Sequence, residues 1–489
     1  MLLSEIAADL GMNITGGDAE ITSVEYDSRK VKEGSLFCCM QGLVSDGHNF
    51  AAQAVEKGAK ALLVERLLPI DVPQIVTQNG RVAMAHAAAA FYGHPEREMI
   101  MLGVTGTNGK TSTTYMVKSI AEAAGKKVGL IGTIRNMIGD TMLETGRTTP
   151  ESADLFALLR RMADEGVELV VMEVSSHALA QDRVAGIPFR VGLFTNLTQD
   201  HLDYHKTFDH YLEAKKLLFR QSDLAVINID DAYADRMTDG LTLPIRTMGI
   251  QHRADYTALN IDIRTDGVRF HLRTPNGEGP VRMHISGLFS VYNAMGAAAM
   301  TQAIGISFAD ILKGLESLSG VSGRLQSVDT NGRPFSVYVD YAHTPDALEN
   351  VLTSVRAFAK ARVVSLFGCG GDRDRTKRPL MGEIGGRHSD FVVVTSDNPR
   401  TENPEDIVRA VELGVQKSGT PYISIVNRRD AIAYALSILA PDDILVIAGK
   451  GHENYQEING VKHHFDDREI VEELLNGADT KSETEERIL

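Results

Sequence analysis

The sequence predicts an α/β protein of three domains, and three features carry that prediction. At 489 residues the chain is longer than one hydrophobic core supports. Short apolar runs alternate with helical stretches in two long sections, the rhythm of parallel sheets wound on both faces. A glycine-rich loop also follows an apolar run at Val104 and opens a helix, which is the setting of a phosphate cradle.

Residues 1–98 form the first unit, where the runs SLFCCM and ALLVE alternate with the helical pieces NFAAQAVEKGA and RVAMAHAAAAFYG, and GHPEREM is the exit linker. The second unit, 99–330, reads strand (MIMLGV), glycine loop, helix (KTSTTYMVKSIAEAAG), strand (KVGLIG), helix (SADLFALLRRMADEG) and two further strands (ELVVMEV, VGLFTNL), a mostly parallel sheet. From about 254 to 285 the turns Asp266-Gly267 and Asn276-Gly277 separate alternating runs, which predicts an antiparallel insertion. The helices VYNAMGAAAMTQAIG and FADILKGLESL follow. In the third unit, 331–489, the strands SVYVDY, RVVSLFG, FVVVTS, YISIV and DILVIAG alternate with helices, a Rossmann-like second sheet. From Gly477 the tail GADTKSETEERIL lacks apolar periodicity and is expected to be frayed and solvated.

With 43% hydrophobic and 24% charged residues, the composition is that of a soluble globular protein. A formal net charge of -15 argues against nucleic acid as a partner, because its phosphates require a basic surface. Any phosphate site must therefore be built locally from backbone N–H groups, a few cations and metal ions. Cys38, Cys39 and Cys369 form neither a metal pair nor a disulfide framework. The start MLLSEIAADLG, interrupted by Glu5 and Asp9, lacks the pattern of a signal peptide. No apolar run reaches the ~18 residues of a membrane span. A cytoplasmic protein without membrane contact is expected, working as a monomer.

The loop reads Gly103-Val104-Thr105-Gly106-Thr107-Asn108-Gly109-Lys110-Thr111-Ser112. Val104 stands where the strict phosphate-loop pattern has its first glycine, but the ending TGTNGKT keeps the working parts. Glycines let the backbone approach an anion, N–H groups and the helix start face it, Lys110 adds charge, and Thr111 can hold Mg²⁺. The loop alone fits a kinase, a GTPase switch or a ligase. Glu173 ends one strand and His201 follows another, so both fall at carboxyl ends of a parallel sheet, where such folds bind ligands.

TGTNGKT, EVSSHAL (173–179), TNLTQDHLDYH (195–205), YNAMGAA (292–298), GRLQ (323–326), DYAHTPDAL (340–348), GGDRDRTKRPLMG (370–382), SDNPR (396–400) and AGKGHE (448–453) together closely resemble the Mur ligase family, over essentially the whole chain. The resemblance implies an N-terminal domain for a uridine nucleotide, a central ATPase and a C-terminal domain for the amino acid. It implies an ATP-dependent amide ligase that forms an acyl phosphate, with UDP-MurNAc-L-Ala-D-Glu and meso-diaminopimelate as substrates. SDNPR speaks against the lysine-adding relative, and the uridine-nucleotide domain against a folylpolyglutamate synthetase. A nucleotide switch without ligase activity remains the alternative from another class.

Residue by residue, the resemblance makes Glu173 and His201 Mg²⁺ ligands beside Thr111, and makes Lys215 the lysine that becomes carbamylated and faces the metal. ATP is assigned to Thr105, Gly106, Thr107, Asn108, Gly109, Lys110, Thr111, Asn293, Arg324 and Asp340, while His343 in DYAHTP either lies near ATP or serves the structure of its turn. Relatives often carry Asn where this chain has Ser290, which puts that contact in doubt. The nucleotide peptide is assigned to Ser28, Thr148, Thr149, Ser175, Gln181 and Arg183. The amino acid is assigned to Arg373, Asp397, Asn398, Pro399, Arg400, Gly449 and Glu453. The far end of diaminopimelate is a zwitterion, so its site needs a cationic fork, which Arg400 offers, and acceptors for the ammonium, which Asp397 and Asn398 offer.

Overall fold

The computed structural model describes residues 1–42, 45–143, 145–264 and 266–486, with side chains as far as 477. The N-terminal unit is a five-stranded sheet in the order Ile14–Thr15, Gln74–Val76, Ala59–Val64, Ser35–Cys38, Ser23–Glu25. Its neighbours run parallel except for Ile14–Thr15. Asn79 caps the helix Gly80–Phe91 by accepting from the N–H groups of Arg81 and Val82, each at 3.1 Å. That alanine-rich helix packs on Ser152–Asp164 of the next unit. Leu3, Leu36 and Ala83 consequently share one core with Phe156, Leu159 and Met172.

The central sheet has eight strands in the order Ile245–Met248, Ala225–Asn228, Phe189–Phe194, Ile100–Thr105, Leu169–Glu173, Val128–Ile131, Asn136–Ile138, Thr141–Leu143. The first six are parallel and the last two antiparallel. Glu173 lies opposite Val104 in register, so its carboxylate emerges beside the glycine loop. The expected insertion is a meander of Thr257–Arg264, Gly267–Thr274 and Gly277–Met283. It packs on the helix Leu288–Ala303, which also packs on the loop helix Lys110–Ala123.

The C-terminal sheet runs Gln326–Val328, Ser336–Asp340, Ile444–Ala448, Val363–Phe367, Phe391–Val394, Tyr422–Ser424, parallel but for its first pair. Its first strand therefore lies on the N-terminal side of residue 331. Motif loops leave the carboxyl ends of four of these strands: Tyr341–Thr344, Gly449–Glu453, Gly368–Asp374 and Thr395–Arg400. A hairpin, Tyr455–Ile458 and Val461–His464, folds back beside them. Its turn is Asn459-Gly460, with φ of 49° and 78°, the left-handed pair that tight hairpins favour.

The closing helix spans Asp467–Glu486 and so runs into the expected tail at Gly477. Its first turns are anchored: Ile470, Val471 and Leu475 are buried in the C-terminal core, and Asp467 forms a fully buried pair with Arg428 (2.8 Å). Residues 487–489 lie outside the described part.

Candidate active site

The glycine loop adopts the conformation its sequence requires. Gly106 and Gly109 have φ of 151° and 86°, values that L side chains avoid. A Cβ on Gly109 would stand 2.5 Å from Asn293 Oδ1. Lys110 donates from Nζ to the carbonyls of Gly106 (2.9 Å) and Thr107 (2.8 Å). Burial lowers its pKa, against the pull of Glu173 and Asp200. Thr107 Oγ1 lies 3.1 Å from the buried Tyr211 hydroxyl.

Glu173, 1% exposed, is the hub of the site. Its carboxylate accepts from Thr111 Oγ1 (3.0 Å to each oxygen), from the Thr133 N–H (2.8 Å) and from Thr133 Oγ1 (3.0 Å). Thr148 Oγ1 lies 3.0 Å from Thr133 Oγ1, and Thr149 Oγ1 donates to the Glu173 carbonyl (2.8 Å). Arg183 donates to the Thr149 carbonyl (3.1 Å) and to Gln181 Oε1 (2.8 Å). Ser175 caps the short helix Ser176–Ala180. Ser28 stands apart, in a turn of the N-terminal unit. Its neighbours Tyr26 and Lys30 line a cleft of about 580 Å³ together with Arg147 and Glu151, and Glu151 pairs with Arg183 (3.0 Å).

His201 has a left-handed backbone, φ 54°, and its Nε2 lies 3.2 Å from Asp200. The ring meets His177 edge-on at 4.7 Å. Lys215 is 1% exposed, and its Nζ sits 4.3 Å from the centroid of the Tyr211 ring. Burial first, and the nearby Lys110 second, hold its pKa well below the ordinary lysine value.

A cavity of about 520 Å³ joins these groups to the C-terminal unit. Thr107–Ser112, Glu173 and His201 line it from one side, and Arg324, Asp340, Tyr341 and His343 from the other. Arg324 lies over the Tyr341 ring at 4.8 Å and donates to Thr111 Oγ1 (3.1 Å). Asn293 Nδ2 is buried with no hydrogen-bond partner among the described residues, the kind of orphaned donor that a ligand would satisfy. Asp340 accepts from the N–H groups of Leu325 (2.5 Å) and Ala342 (2.7 Å), so it organises the backbone of this wall. Burial raises its pKa. Ser290 donates to the Ser286 carbonyl (2.7 Å), so its hydroxyl is engaged by the segment that leads into its helix.

The residues expected to hold the amino acid lie next door, at the carboxyl ends of the C-terminal strands. Gly449 donates from N to the Asp340 carbonyl (3.0 Å) and, with φ 115°, lets Asp397 approach. Asn398 donates to Glu453 (2.8 Å), while its Oδ1 accepts from Lys450 Nζ (3.1 Å) and the Glu457 N–H (2.9 Å). Burial pushes the Asp397 carboxyl up, but Lys450 and Arg428 outweigh it and hold the group below its ordinary range. Burial and then Asp397 raise the pKa of Glu453. Arg400 donates to the Gly371 carbonyl (2.8 Å). Pro399 is buried behind it, and Arg373 is exposed across Gly370.

Several participants were not singled out from sequence. Thr133, Tyr211 and Asp346 carried no motif signal of their own, although Asp346 lies within DYAHTPDAL. Lys450, inside AGKGHE, is fully buried at the centre of the amino-acid cluster. Glu457 could have been found only through the Asn459-Gly460 hairpin signal.

Comparison with known proteins gives the same picture. Three family models match in chain order: Mur ligase family, catalytic domain (20–98), Mur ligase middle domain (104–301) and Mur ligase, glutamate ligase domain (323–451). A Clostridium acetobutylicum protein named UDP-N-acetylmuramoyl-L-alanyl-D-glutamate--2,6-diaminopimelate ligase 1 is 47% identical over 481 residues, 97% of this chain and 99% of its own. An Alkaliphilus metalliredigens protein named as the same ligase is 49% identical over 473 residues, 94% and 96%. A solved structure of a ligase of that name superposes with TM-score 0.68 at 34% identity, over 94% of this chain and 95% of its own. The Thermotoga maritima MurF ligase in complex with ADP, at 18% identity, shares the fold with TM-score 0.64 over 94% and 98%. On the strength of these matches, which run almost end to end, the chain belongs to the Mur ligase family.

Proposed function

We propose that this chain is the ATP-dependent ligase that joins meso-2,6-diaminopimelate to the D-glutamyl carboxylate of UDP-MurNAc-L-Ala-D-Glu in peptidoglycan precursor synthesis. One observation carries the reading: a phosphate loop and a cationic fork with acidic neighbours stand at the carboxyl ends of two sheets, and loops of the two sheets face each other across the cavity lined by Thr107–Ser112 and by Arg324, Asp340 and Tyr341. The names of the full-length relatives support the choice of substrates.

In this reaction the γ-phosphoryl group of ATP passes to the peptide carboxylate, giving ADP and an acyl phosphate. The amine of diaminopimelate attacks that carbonyl and loses a proton, and the tetrahedral adduct expels phosphate to leave the amide. Phosphoryl transfer rests on positioning and charge neutralisation. Backbone N–H groups from Thr105 to Thr111 and the Lys110 ammonium would hold the phosphates, and Asn293, Arg324 and Asp340 the remainder of the nucleotide. Thr148, Thr149, Ser175, Gln181 and Arg183 would present the peptide carboxylate, with Ser28 on the uridine side. The amino acid would lie among Arg373, Asp397, Asn398, Pro399, Arg400, Gly449 and Glu453.

Mg²⁺ fits the donor set of Thr111, Glu173, His201 and a carbamylated Lys215. Mg²⁺ takes only one or two protein carboxylates and completes its shell with phosphate and water, which is what this donor set offers. When bound, it would offset the charge on the phosphates. The buried Lys215, with its lowered pKa, favours the neutral amine that CO₂ requires.

We place the enzyme in the cytoplasm as a monomer. Its three cysteines are free and buried, as suits a reducing compartment. The test is mass spectrometry of the product after incubation with ATP, Mg²⁺, the muramoyl dipeptide nucleotide and each candidate amino acid. Addition of one diaminopimelate residue is expected, with phosphate released only when both acceptor and amino acid are present. Preferential use of lysine, or ADP formation without a lengthened peptide, would refute the assignment.

A further inference from the structure

The hairpin that follows AGKGHE is fastened to the SDNPR loop through backbone groups. The Arg400 N–H donates to the Glu457 carbonyl (3.0 Å), and the Asn459 N–H donates to the Arg400 carbonyl (2.7 Å). The Glu457 N–H donates to Asn398 Oδ1 (2.9 Å), and Gln456 Nε2 to the Asp397 carbonyl (2.6 Å). None of these bonds uses the Glu457 carboxylate. That group instead reaches Arg400, with Nε to Oε2 at 3.3 Å and side chains 19% and 25% exposed. The guanidinium assigned to the distal carboxylate of the substrate is thus already paired, with Glu457 on one edge and the Gly371 carbonyl on another.

This pairing changes how the site discriminates. A bare, buried arginine would reject lysine strongly, because lysine has no distal carboxylate and would leave the cation desolvated and unpaired. With Glu457 in place, Arg400 keeps a partner whichever amino acid enters. The distal carboxylate of diaminopimelate must share or displace that partner, and lysine need not. We propose that Glu457 is a specificity-determining residue, whose carboxylate competes with the distal carboxylate of the substrate for Arg400 and so weakens both diaminopimelate binding and the rejection of lysine. This rests on the diaminopimelate assignment above.

The experiment compares wild-type enzyme with Glu457→Gln and Glu457→Ala, measuring KM and kcat for meso-diaminopimelate and for L-lysine, with KM for ATP as the control for folding. Both substitutions keep the backbone bonds of the hairpin. KM for diaminopimelate should fall about two- to fivefold, the range of a partly exposed ion pair, and the ratio of kcat/KM for diaminopimelate over lysine should rise. Damage to the fold does not improve KM, so a fall in both variants identifies the competition. An unchanged or raised KM for diaminopimelate in both variants would overturn the inference, a rise meaning that Glu457 instead holds the substrate ammonium. If the wild-type enzyme turns over lysine but not diaminopimelate, the assignment of the amino acid fails, and this inference fails with it.

Discussion

Lys215 and Arg400 show how differently two cations behave in one site. The amine of Lys215 has an aromatic ring and another lysine for company, so burial drives it towards neutrality. The guanidinium of Arg400 is instead held by oxygen atoms, the Gly371 carbonyl and the Glu457 carboxylate. Arg400→Ala should therefore act on one substrate only. We expect kcat/KM for diaminopimelate to fall by about thirtyfold, or about 2 kcal/mol, at the low end for a charged pair because the group is partly exposed, with KM for ATP unmoved. Steady-state constants for both substrates decide it, and an unaltered diaminopimelate constant would remove Arg400 from the site. The sequence displayed Arg400, Asn398 and Glu453 plainly, as parts of short motifs. Glu457 as the partner of Arg400, and Asp467 as the partner of Arg428, were not legible, because pairing across tens of residues depends on which loops the sheet brings together.

Among the elements, the helix Pro345–Arg356 is the one that touches the phosphate loop from the other unit. Thr344 caps it and Pro345 opens it, features that sequence shows directly. Asp346 in its first turn then accepts from Asn108 Nδ2 (2.5 Å) and Thr198 Oγ1 (3.1 Å) across the boundary. Asp346→Ala should free Asn108 and raise KM for ATP about tenfold, the worth of a charge-assisted hydrogen bond, whereas Asp346→Asn, which keeps an acceptor, should raise it less. Equal KM values in the wild type and both variants would show that the contact does not set the loop. Strands and helices of the two large sheets were readable from their alternation. The helix Asp467–Glu486 was not, since its described anchors, Asp467, Ile470, Val471 and Leu475, lie in its first half and the sequence beyond them is polar.

At the scale of the whole molecule, the three units are joined in two ways. The first two share an apolar core, while the cores of the third draw on residues from Leu325 onward apart from Phe289. The third unit should therefore unfold on its own. Asp467→Ala leaves Arg428 buried and unpaired, a loss of about 3–5 kcal/mol, and in calorimetry it should lower only the transition of the third unit. A uniform shift of all transitions would mean that the units unfold together.

Arg324, Asn108, Thr198 and Asp346 link the third unit to the second through hydrogen bonds. When such a seam parts, water can replace each lost bond, and among the described core side chains Phe289 alone is drawn away from the third unit's core. Its opening should therefore carry a small heat-capacity change, so that warming shifts the balance between open and shut forms far less than it shifts the balance between folded and unfolded ones.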